Sequence, residues 1–72
     1  MNQLFTFDTT HHALWAEEVA AVSGIPAQVV PAPPGAHARC NLAIETPPEE
    51  TERLRGALEG EGVPFRLYAP GG

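Results

Sequence analysis

Ser23-Gly24-Ile25-Pro26-Ala27 and Glu61-Gly62-Val63-Pro64-Phe65 are two versions of one junction, and together they decide the fold. In each, glycine suits the left-handed residue that ends a helix, the β-branched residue supplies an apolar contact, and proline blocks continuation. Shifting the sequence by 38 residues carries Gly24 onto Gly62, Ile25 onto Val63 and Pro26 onto Pro64, and also Leu4 onto Leu42, Ala20 onto Leu58 and Val29 onto Leu67. A strand–helix–strand unit therefore occurs twice, over about 4–30 and 42–68.

Working outward, Leu4–Phe7 predicts a first strand, followed by the capping residues Asp8, Thr9 and Thr10. A helix from Thr10 to Ser23 places Ala13, Ala16, Val19, Ala20 and Ser23 on one face. Ala27–Val30 is the second strand and Leu42–Glu45 the third. Thr46-Pro47-Pro48-Glu49 reads as a capping box with proline in the first turn. The second helix buries Leu54, Ala57 and Leu58 and stops at Gly62, before a last strand over Phe65–Tyr68. Residues 69–72 read as a tail.

Two such halves in series make β-α-β-β-α-β, the split βαβ or ferredoxin-like arrangement, an α+β class. The whole chain, 1–72, is expected to be one such domain. Right-handed crossovers predict a four-stranded antiparallel-type sheet with both helices on one face. Its first and third strands lie together in the middle, read here as parallel neighbours. The other sheet face is left wet or covered by a partner.

A chain of 72 residues buries only about 60% of the surface its unfolded form exposes. Helix one has apolar residues beyond its core stripe, namely Leu14, Trp15, Ala21 and Val22. A homodimer through that helix is expected on both grounds. The net charge is −5, with four arginines and no lysine. Arg39, Arg53, Arg55 and Arg66 form no basic run, which argues against nucleic acid as a partner. No segment has the apolar length to span a bilayer, and the first residues carry no signal-peptide pattern. A single cysteine fits a cytoplasmic setting.

That cysteine, Cys40, closes the proline-rich stretch 31–39 just before the third strand. Two readings stand at this point: a buried small apolar residue, or a reactive loop thiol. The predicted topology puts Cys40 at the sheet edge where both helices end, with Arg39 beside it and His37 three residues back as candidate modulators. His11 and His12 then fall at the opposite edge, a helix length of about 20 Å away. Ser23, the one serine, is expected on the helix core face, so no hydrolase triad assembles. Neither CxxC nor HExxH spacing is present, and no metal or cofactor is expected. An enzyme is not expected, because no acid–base set converges.

Leu4-Phe5-Thr6-Phe7, Thr9-Thr10-His11-His12-Ala13-Leu14 with Ala16-Glu17, Gly24-Ile25-Pro26, Val30-Pro31-Ala32-Pro33 and Cys40-Asn41-Leu42-Ala43-Ile44 resemble a family of short bacterial proteins. It is a domain of unknown function labelled selenium/sulfur carrier-like. The resemblance runs from about Leu4 to Tyr68. It implies a cysteine before the third strand that holds sulfur or selenium, and therefore donor and acceptor proteins as partners; here that residue is Cys40. Asn41 stands where the family often has glycine, and Pro34 where it often has a basic residue. The chain is also similar to prokaryotic signal-transducing domains, through its Ala-Glu helix and its Gly-Ile-Pro-Ala step. That likeness implies a regulatory interaction module with a structural cysteine.

Overall fold

The computed structural model describes residues 2–36 and 39–68. The order is β1 (Gln3–Thr6), α1 (Thr10–Val22), β2 (Gln28–Pro31), a 3-10 turn (Pro34–Ala36), β3 (Leu42–Thr46), a second 3-10 turn (Pro48–Glu50), α2 (Thr51–Glu61) and β4 (Arg66–Tyr68). The four strands form one antiparallel sheet in the order β2-β3-β1-β4, so the arrangement is ferredoxin-like α+β. The expected tail, residues 69–72, lies outside the described residues.

Adjacency of β1 and β3 in the middle of the sheet is as the repeat implies, but the expected parallel direction is wrong. The two pair antiparallel, with Phe5 opposite Ile44 and Thr6 opposite Ala43. The reason is parity. The crossover through α1 returns β2 in the direction of β1, and the β2–β3 hairpin, paired Pro31 to Leu42, reverses it once.

Both helix ends form as the repeated junction implies. Gly24 and Gly62 have φ of 70° and 78°, the left-handed region in which a side chain is strained. Ile25 N–H donates to Ala20 O and Val63 N–H to Leu58 O, each at 2.9 Å, closing matched C-terminal caps. The helix starts differ. Thr9 caps α1, its hydroxyl accepting the His12 N–H at 3.0 Å. The expected Thr46 capping box does not form. Thr46 ends β3 fully buried, and its hydroxyl donates to Pro26 O at 2.6 Å. Pro48–Glu50 winds as a 3-10 turn with no side-chain cap before α2 begins. A buried hydroxyl must find an acceptor, and the Pro26 carbonyl supplies it.

One apolar cluster joins both helices to the sheet. Phe5 and Ile44, cross-strand neighbours with no exposure, meet Ala13, Ala16 and Ala20 of α1 and Leu54 and Leu58 of α2. Phe65 packs on Phe5 with ring centroids 5.3 Å apart. Ser23 is exposed rather than on the core face, because α1 has ended and Ser23 serves as its C-cap. On the opposite sheet face Leu4, Thr6 and Ala43 are nonetheless buried. Tyr68, beside Leu4 on that face, sends its hydroxyl so close to Gly35 that a Cβ there would stand 2.8 Å from it. The chain's own β2–β3 connection thus covers part of the face that was expected to be wet or partnered.

Candidate functional site

Cys40 sits where three separate stretches converge. Its N–H donates to Phe7 O at 3.3 Å, just beyond the end of β1. Its Sγ accepts the Leu42 N–H at 3.2 Å and lies 3.6 Å from Thr10 Oγ1, in the first turn of α1. The bond to Leu42 spans two residues, the pattern by which a short side chain caps its own turn. Alternation along the chain then puts Cys40, Leu42 and Ile44 on the helix-covered face, and the sulfur joins the core cluster.

One expectation about this residue fails, and of the two readings left open the buried one describes its position. Cys40 lies under the start of α1, not at the edge where α1 ends, because β3 runs opposite to the direction expected for it. The sulfur therefore faces the partially positive end of a helix, where backbone N–H groups point outward. The free thiol is also buried, at 4% exposure, where an accessible carrier thiol requires partial exposure.

His11 and His12 consequently share an edge with Cys40, one and two residues after the threonine that touches it. Their imidazoles turn toward Trp15, with centroids 6.3 and 6.5 Å from the indole. His12 Nδ1 is shielded from solvent and has no hydrogen-bond partner among the described residues. Arg39 is exposed, and His37 lies outside the described residues. Among the described residues no three His, Cys, Asp or Glu side chains cluster as a metal ion requires.

The sequence reading missed Thr10 as a neighbour of the sulfur, treating it only as a capping residue. Parity of the connections was the signal that finds it: the hairpin puts the start of β3 at the edge where α1 begins. Chemically, the seat is small and half polar. A hydroxyl and a backbone N–H meet a sulfur that belongs to the buried core cluster.

No helix among the described residues is long and apolar enough to cross a membrane. A family model described as "Putative Se/S carrier protein-like" matches residues 2–69. No curated protein and no solved structure matches the chain.

Proposed function

The chain belongs to the Se/S carrier protein-like family, and from that premise we propose that it carries sulfur or selenium on Cys40 without catalysing a reaction of its own. Loading is an exchange. The Cys40 thiolate attacks the terminal sulfur of a donor protein's persulfide, and the donor S–S bond breaks. The donor leaves as a thiolate with the bonding electron pair, and Cys40 keeps the transferred sulfur in a new S–S bond. Delivery to an acceptor thiol repeats the displacement in the other sense, so no outside oxidant enters. A selenium atom moves by the same displacement from a donor perselenide.

The observation that supports this reading is the pair of polar groups at Sγ, the Leu42 N–H and the Thr10 hydroxyl. A backbone N–H donor with a hydroxyl beside it holds a charged or terminal sulfur in place. Burial at 4% means that transfer proceeds through local opening around residues 39–41, which is an ordinary event in a small domain.

The same burial favours a second reading: a regulatory or signal-transducing interaction domain in which Cys40 is a packed structural residue. Incubating the folded chain with a low-molecular-weight persulfide separates the two. The carrier reading expects a mass gain of one sulfur atom that is lost in Cys40→Ser, with that variant folded. It also expects native-state alkylation of Cys40 that slows in Arg39→Ala. No sulfur uptake, native thiol inert to alkylation, and a loss of about 1–3 kcal/mol in Cys40→Ser establish the structural role instead.

A further inference from the structure

Trp15, Val19 and Val22 of α1, with Glu61 at the end of α2, line a groove of about 270 Å³ on the outer side of the helical layer, edged by Glu18 and Ser23. It shares Trp15 and Glu18 with a second depression that adds His11 and Leu14. The indole is half-buried, its inner part packed against the core cluster. Leu14 and Val22 are 50% and 83% exposed. Apolar side chains and an indole set among polar groups make a mixed surface of the kind that marks an interaction site.

Charge says what covers it. Arg53, Arg55 and Arg66 pair at the surface with Glu50, Glu52 and Asp8; Arg53 also donates to Ser23 O at the groove's edge at 3.4 Å, and the fourth arginine, Arg39, is exposed. Glu18 and Glu61 take part in no ion pair among the described residues, and the chain as a whole carries −5 with no lysine. A second copy docked on this groove about a two-fold axis places the same patch against itself, which brings the Glu18 and Glu61 carboxylates of both copies into one interface. Like charges brought together in a closing interface oppose it. A partner with cations meets an indole face and two free carboxylates.

We infer that the groove docks a basic amphipathic segment of a partner protein, an arginine lying over Trp15 between Glu18 and Glu61 and aliphatic side chains covering Leu14 and Val22. Guanidinium is planar, stacks on indole, and donates to carboxylates on either side while stacked. The apolar neighbours supply the area that a single cation–ring contact lacks. None of this involves Cys40, so it stands or falls apart from the carrier chemistry.

Trp15 is the chain's single tryptophan, and its fluorescence reports occupancy directly. The probe is a synthetic helical peptide with arginine and leucine alternating at three- and four-residue spacing, set against the same peptide with glutamate for arginine. The expected result is a saturable change in Trp15 emission with the arginine peptide alone. Affinity should fall about tenfold in Glu18→Gln/Glu61→Gln, roughly 1.4 kcal/mol. It should change little in Glu17→Gln/Glu49→Gln, which has the same net charge, or in Cys40→Ser. Equal weakening in both double variants means attraction by overall charge and overturns the groove. So does the absence of saturable binding, or light scattering that shows a dimer whose formation alters Trp15 emission.

Discussion

Ala16 and Leu54 occupy equivalent places in the two strand–helix–strand halves, as do Ala20 and Leu58, and all four are buried to 1% exposure or less. At these paired positions one helix meets the core with methyl groups, the other with isobutyl groups. Side-chain size sets how closely a helix approaches what it packs on. The alanine face of α1 therefore lies low over β3, and its first turn reaches down to the Cys40 sulfur at 3.6 Å. α2 fills its share of the core with volume and has no such contact to make. A single repeated pattern thus serves two ends: one half is built for cohesion, the other for proximity to a thiol.

The largest test of that contrast is in the two helix faces. Leu58→Ala should cost about 2–5 kcal/mol through transfer and cavity terms, read as a lowered denaturation midpoint with an unchanged slope. The mirror change, Ala20→Leu, should cost about 1–3 kcal/mol by overpacking. Because it lifts α1, it should also speed native-state alkylation of Cys40, which Leu58→Ala affects only through global unfolding. Equal alkylation in the two variants at matched stability breaks the comparison.

A smaller effect checks where the halves are alike. A Cβ at Gly24 or Gly62 meets nothing within 4 Å, so alanine there costs only backbone strain, about 1–2 kcal/mol at each site. Urea titrations should give the two variants losses within about 0.5 kcal/mol of each other; a larger gap means the caps are not equivalent.

The smallest expected change concerns where the halves differ. Thr9→Ala should lose about 1 kcal/mol with the cap on the His12 N–H. At the equivalent position Pro47 provides no side-chain cap, and Pro47→Ala should change thermal stability by clearly less. Comparable losses in both remove the asymmetry of the helix starts.

Much of this was legible in the residues. The doubled Gly-[Ile/Val]-Pro step marked both helix ends, because glycine at positive φ followed by proline has few other uses. The aromatic and apolar run Leu4–Phe7, with Leu42–Glu45 as its repeat 38 residues on, marked the central strands. Strand direction was misread although the information was present, since it follows from counting reversals rather than from any one motif. That miss carried Cys40 to the wrong edge and separated it from His11 and His12. Thr46 illustrates a different limit. Its capping-box spacing is local, but the carbonyl that claims its hydroxyl belongs to Pro26, and only tertiary packing brings that group to 2.6 Å. The covering of the second sheet face by Gly35 and Tyr68 was likewise out of reach, because it joins residues remote in sequence.

Gln3 Nε2 donates to Tyr68 O at 2.8 Å, and Leu4 pairs directly with Tyr68. The first and last described strands are thus neighbours, and the polypeptide traces a nearly closed circuit. During synthesis β1 emerges early and gains one flank from β3, but its other flank stays vacant until Arg66–Tyr68 has been made. Until then a central strand behaves as an edge, with unpaired amide and carbonyl groups that invite pairing with another chain. Joining the circuit between positions 3 and 68 by a short linker, and opening it within the β2–β3 connection, places β4 and β1 on adjacent stretches of nascent chain and shortens that interval of vulnerability.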